Sequence, residues 1–148
     1  MIIIYINYLN ERIEIFMMKS KKKAIGFSRY DSKGNVVYSE SLKKEGETVR
    51  HFYSYDDFGR RIHYRKEEDD NIFDESTTYL DNGYIQVVSY NISNDCYNNH
   101  SIKLYNTMGR IIEETTEDVY GNIIHRVYNA YKDSYDIIKA INPFIYKK

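Results

Sequence analysis

Four histidines, a run of carboxylates and seventeen tyrosines are the residues of this 148-residue chain that could do chemistry. His51, His63, His100 and His125 carry imidazoles able to ligate a transition metal, and the first two flank one short turn across which they could approach. No dense set of carboxylates or thiolates accompanies them at ligand spacing, so they read as strand-surface residues, and no metal or cofactor is expected. Glu67, Glu68, Asp69 and Asp70, with Asp74 and Glu75 close behind, could hold a cation or supply the paired carboxylates of a glycosidase. Consecutive residues on a loop diverge, however, and the glycine and ligand alternation of a calcium loop are missing. The run therefore reads as a solvated turn. Cys96 stands alone, which excludes an intrachain disulfide framework and a multi-thiolate zinc cage. With no cation or helix start beside it to lower its pKa, it reads as a small residue near a turn. No glycine-rich phosphate loop, nucleophile elbow or Cys/His nucleophilic pairing is present, and the chain is read as a non-enzyme.

The remaining chemistry is recognition. Tyrosine rings offer large amphipathic contact area at low entropic cost, which suits protein or sugar surfaces. Tyr53, Tyr64 and Tyr79 are the candidate carbohydrate platform, and Arg60 and Arg110 are candidate binding cations. Lys19 and Lys21 to Lys23 are the only dense basic group; without a continuing stripe, and with a net charge of −1 and interspersed signs, nothing draws in nucleic acid or an anionic membrane. The apolar opening, Ile2 to Leu9, is interrupted by Glu11, Arg12 and Glu14 well short of the roughly 20 residues of a membrane span. It also lacks a basic leader and a small-residue cleavage site, so the expected compartment is the cytoplasm. Met17-Met18 followed by a lysine cluster reads as an alternative start, which would make residues 1–16 an extension.

What must position these residues is legible from turns that recur about every twelve residues. The clearest repeat a phrase of Tyr, Asp or Asn, two variable residues, Gly, then Arg or Asn. It occurs as Tyr30-Asp31-Ser32-Lys33-Gly34-Asn35, Tyr55-Asp56-Asp57-Phe58-Gly59-Arg60 and Tyr105-Asn106-Thr107-Met108-Gly109-Arg110, with weaker echoes at Asp81-Asn82-Gly83 and Asp118-Val119-Tyr120-Gly121-Asn122. Glycines 34, 59, 83 and 109 lie about 25 apart, with half-period turns at Gly46, Asp69 to Asn71, Asn94-Asp95 and Gly121. The Asp or Asn side chain can cap backbone N–H groups two residues on, and Gly supplies the φ > 0 position. The preceding Tyr is placed to pack against the aliphatic residue opening the next strand, such as Ile62 or Ile111, and Arg60 and Arg110 to bridge to acids of adjacent units.

Between turns, strands are expected over 36–43, 48–55, 61–66, 72–80, 84–92, 100–105, 111–116, 123–131 and 135–141. Residues 2–8 and 12–17 are two further strands or one amphipathic helix, the spacing favouring strands, and 23–29 leads into the first full phrase. Connections this short force neighbours to lie antiparallel and adjacent. Residues 1–148 are thus read as one all-β domain, an antiparallel meander of about nine to twelve strands, strongly curved or closing into a barrel or two-layer sheet. Tyrosine rings are expected to cover its inner surface with their hydroxyls at polar rims.

The repeated phrase resembles the YD-repeat, or RHS-repeat, family, whose hallmark is Tyr-Asp-x-x-Gly-Arg followed by an aliphatic residue. Residues 30–36, 55–62 and 105–111 carry it, 118–124 carries a Tyr-Gly-Asn form, and Asp81 to Ile85 lacks the Tyr and Arg in register. MORN-like repeats of bacterial antitoxin-type proteins are the competing resemblance, with a period nearer this one. Both imply tandem β-hairpins in a bacterial or phage-type protein, and neither supplies a catalytic residue. The resemblance implies a protein-binding factor of antitoxin, immunity or accessory type. A carbohydrate-binding module is the alternative, and open edge strands suggest self-association.

Overall fold

The computed structural model describes residues 2–8, 11–18, 23–43, 46–93 and 96–129. They form eleven antiparallel strands and, among the described residues, no helix: β1 (Ile2–Tyr8), β2 (Glu11–Met18), β3 (Lys23–Tyr30), β4 (Val36–Leu42), β5 (Thr48–Tyr55), β6 (Arg61–Glu68), β7 (Asn71–Tyr79), β8 (Ile85–Ser93), β9 (Cys96–Tyr105), β10 (Ile111–Glu117) and β11 (Ile123–Tyr128). Sheet order follows chain order from β1 to β11, a meander. The opening residues form the two strands that the spacing favours. β9 begins at Cys96, ahead of the expected His100, because Tyr97-Asn98-Asn99 has the composition of a turn yet lies within the strand. The last expected strand, 135–141, and the end of the one before it lie outside the described residues.

Each phrase turn is encoded by its own side chains. In the second, the Asp56 N–H donates to the Arg60 carbonyl at 2.9 Å and the Gly59 N–H to the Asp56 carbonyl at 3.0 Å. Asp56 Oδ1 accepts the N–H groups of Phe58 and Arg60, at 3.0 and 2.8 Å, while Arg60 Nε donates to Oδ2 at 2.7 Å. Asp31, Asn106 and Asp118 hold their turns by the same pair of bonds to residues two and four ahead. Gly59 stands at φ 79°, as a three-residue hairpin loop closed by a left-handed residue requires. The turn at Gly83 departs from the pattern in an instructive way. Tyr79 lies four residues before it, so the tyrosine is in register after all; the capping position holds Leu80, and Asn82 caps the Tyr84 N–H instead, at 3.0 Å. Asp69, at φ 53°, closes the two-residue turn between β6 and β7, a position that Asp tolerates.

The chain divides into two compact units, residues 1–75 with 91–96, and residues 76–90 with 97–148. In the first, burial does not alternate along β4 or β6, and Val49 is its one buried hydrophobic among the described residues. Rings and ion pairs join its strands instead. Gly26 in β3 leaves no room for a side chain, since a Cβ there would run into the Glu40 carbonyl oxygen of β4. The second unit has an apolar centre: Ile112, 1% exposed, packs with Tyr84 at 8%, flanked by Leu104 and Tyr128. Asn106 and Thr115 are buried polar residues there, Thr115 Oγ1 donating to Glu113 and accepting from Arg126 Nε.

The tyrosine that ends each phrase strand meets its expected partner in two of three cases. Each pairs with the residue six ahead, so Tyr30 stands opposite Val36 and Tyr105 opposite Ile111, but Tyr55 stands opposite Arg61, because the aliphatic Ile62 comes one residue later in that phrase. Hydroxyls find polar partners: Tyr55 Oη donates to the Val36 carbonyl at 2.9 Å, and Tyr30 Oη to Glu14 at 2.9 Å.

Candidate functional site

Strand pairing in the first unit sorts its aromatic residues onto two faces. On one, Tyr38 of β4 is the direct partner of Phe52 of β5, and Arg29 of β3 is the partner of Tyr38. Phe27 lies two residues from Arg29 and so shares this face. The rings form a ladder across three strands, with centroids 5.3 Å apart for Phe27 and Tyr38 and 5.1 Å for Tyr38 and Phe52, the latter edge to face. Phe27, Arg29, Val37, Tyr38 and Phe52 line an open groove of about 380 Å³, within the size range of ligand sites. Tyr38 Oη donates to Glu40 Oε2 at 2.6 Å, and Arg50 Nε reaches the same carboxylate oxygen at 3.3 Å. Burial and then the Glu40 bond push the Tyr38 phenol up to about 12, so the ring is neutral and its orientation fixed.

The opposite face carries the second aromatic cluster. Tyr53 and Tyr64 are direct partners on β5 and β6 with centroids 5.3 Å apart, Phe73 of β7 follows at 6.0 Å from Tyr64, and His51 stacks on both tyrosines. His51 Nδ1 is 2.9 Å from Tyr64 Oη. Burial, then the charge of Lys66, holds the imidazole below its ordinary pKa, while burial raises the Tyr64 phenol. The Arg61 guanidinium lies 5.2 Å above the Tyr64 ring and pairs with Glu75 at 2.9 Å. Of the three tyrosines expected to form a sugar platform, the structure therefore brings Tyr53 and Tyr64 together. Tyr79 ends β7 and belongs to the second unit.

Arg60 donates to Asp56 of its own turn and lies 5.1 Å from the Phe58 ring, while Arg110 is held through its backbone by Asn106. Their neighbour Arg61 pairs with Glu75 of β7. Between the turns at Gly34 and Gly59 runs a second cleft, of about 300 Å³, which Lys33 Nζ spans to the Asp57 carbonyl at 3.2 Å. The Asp31 and Asp56 carboxylates in its wall are consumed by turn bonds.

The other reactive residues are dispersed. His51 pairs across with Lys66 and His63 with Ser54, which places the two imidazoles on opposite faces. His63 Nε2 meets the buried Asp74 at 2.8 Å, and His100 meets Glu117 at 3.0 Å. The acidic run is divided among cations: Glu67 with Arg65, Glu68 with Lys43 and Lys66, Glu75 with Arg61. No group of three His, Cys, Asp or Glu among the described residues could hold a metal ion, and among them no helix is long and apolar enough to cross a membrane.

Phe27, Arg29 and Phe52 were not singled out by the sequence, although the signal was present. A hairpin centred on the Gly34 turn sets Arg29 across from Tyr38, and the next hairpin sets Tyr38 across from Phe52. Pairing the strands explicitly finds the ladder, whereas scanning for exposed tyrosines does not. In comparisons with protein-family models, curated proteins and solved structures, nothing matches the chain.

Proposed function

We propose that the chain is a non-catalytic recognition module that binds another protein, as an antitoxin-like, immunity-like or accessory factor. The observation that carries this reading is the groove on β3 to β5. Its walls are three rings from three successive strands, its one charged lining residue is Arg29, and no carboxylate lines it. Such a site fits an apolar side chain projecting from a partner. The tandem phrase turns, and with them the likeness to YD-repeat and MORN-like repeats, support a role in binding over one in catalysis.

The test is capture of one stoichiometric partner by the full chain from extracts of its source cell. Phe52→Ala and Arg29→Glu are each expected to lose that partner while keeping the wild-type circular-dichroism spectrum, and Tyr53→Ala is expected to keep it. Retention by both groove variants would overturn the reading. A second reading is favoured by the paired Tyr53 and Tyr64 rings, with Arg61, Glu75 and His51 around them, which suit a sugar ring stacked on its apolar face. Retention on a polysaccharide column that is lost in Tyr64→Ala and kept in Phe52→Ala would select it.

A further inference from the structure

β1 ends the strand order and, among the described residues, is hydrogen-bonded to β2 alone. Alternate residues of an antiparallel strand turn their N–H and C=O groups away from the partner, so a terminal strand presents a row of unpaired backbone groups. Natural edges are blunted by lysine, proline, a bulge or shortness. β1 has none of these devices. Its seven residues read Ile-Ile-Ile-Tyr-Ile-Asn-Tyr, with no charge, Pro or Gly, and its register with β2 runs from Ile2↔Met17 to Tyr8↔Glu11 without a shift. At the other end of the order, β11 contains His125 and Arg126, and its pairing with β10 is broken by a bulge at Thr116/Glu117.

We infer that β1 pairs with β1 of a second copy of this chain, antiparallel and centred on Tyr5, extending the sheet across the two molecules. Self-complementarity argues for this occupant. In that register Ile4 stands opposite Ile6, Ile3 opposite Asn7, Ile2 opposite Tyr8 and Tyr5 opposite itself, so no charge meets a like charge or an apolar group. A charged foreign strand would find no ionic partner along this edge. Ile3 and Ile4, on opposite faces, are 36% and 40% exposed. Ile4 is also in register with Ile15, which is in register with Phe27, so the pairing would continue an apolar row already present in one copy. Seven residues give a contact about 23 Å long.

Sedimentation equilibrium of the full chain is the test. The weight-average mass is expected to rise towards twice that of the chain with concentration, Ile4→Lys to abolish the rise, and Ile124→Lys on β11 to leave it unchanged. Tyr5→Cys in a Cys96→Ser background is expected to oxidise to a disulfide-linked dimer, and Ile3→Cys in the same background not to. A wild-type chain that stays monomeric overturns the inference. So does association lost in Ile124→Lys but kept in Ile4→Lys, or cross-linking by Ile3→Cys in preference to Tyr5→Cys.

Discussion

The two units are built from the same turns but held together differently. In the second, Ile112 is enclosed by Tyr84, Leu104 and Tyr128, an apolar contact set within one cluster. In the first, Val49 is the one buried hydrophobic described, and its strands are tied by ring ladders and by cross-strand ion pairs such as Arg61–Glu75 and Arg50–Glu40. Rings that do not vanish into a core remain accessible, and the groove and the Tyr53–Tyr64 pair both lie in this unit. Buried apolar area stabilises by about 25 cal/mol per Å², whereas partly exposed ion pairs contribute roughly 0–1 kcal/mol each. The difference teaches that one half is suited to holding its fold and the other to presenting a surface.

The largest expected effect follows from the core. Ile112→Ala should destabilise the second unit by about 2–5 kcal/mol, the usual range for a fully buried isoleucine. Val49→Ala removes fewer atoms from a less enclosed site and should cost less. Segment-resolved hydrogen exchange reads each unit separately: loss of protection should centre on β9 and β10 in the first variant. Equal losses in the two variants would erase the distinction between a cored and an uncored unit.

Much of the strand layout was readable because the turns are local. Asp31, Asp56, Asn106 and Asp118 cap N–H groups within four residues, so phrase, spacing and strand limits carry their own instructions. Contacts that depend on register were harder to read. In each of the three hairpins the tyrosine pairs with the residue six ahead, so Arg61 takes the place expected for Ile62, and which residue a bulged turn sets opposite is invisible to alternation alone. The candidate residues were legible only in part. Tyr53 and Tyr64 stood out as aromatic, while Phe27, Arg29 and Phe52 come together in a groove only once three strands are paired.

Turn substitutions should have a smaller effect and should be similar in the two units. Gly59 and Gly109 have φ of 79° and 73°, and a Cβ at either would meet open space. Alanine at each should therefore cost only the left-handed strain, about 1–2 kcal/mol. Gly83 differs, since its added Cβ would lie 3.1 Å from Thr107 Cγ2. Gly83→Ala should be the most destabilising of the three in urea denaturation, and Gly83→Ala with Thr107→Ser should recover the excess. A Gly59→Ala cost well above that of Gly109→Ala would mean that the turns of the uncored unit carry more of its stability than the capping pattern implies.

The smallest and most discriminating difference lies in acid. Hydrogen bonds from Lys43, then Lys66, hold the Glu68 carboxyl at about 2, below its ordinary 4.5, and their charges add to the effect against a smaller opposing one from burial. A carboxyl depressed in the folded state binds fewer protons there than in the unfolded chain, so its contribution is complete above about pH 4.5 and is lost as pH falls towards 2. Turn carboxylates behave alike in both units: Asp31 is lowered first by the Asn35 side chain and Asp118 by that of Asn122, so their loss does not distinguish one unit from the other. Acidification from pH 4.5 to 2 should therefore release exchange protection in β5 and β6 ahead of β9 and β10, and Glu68→Gln should reduce that lead by weakening the first unit at neutral pH while flattening its acid response. If the lead persists unchanged in Glu68→Gln, the ion pairs around β6 are not what ties its edge to β4 and β5, and the aromatic ladders alone must hold the uncored unit together.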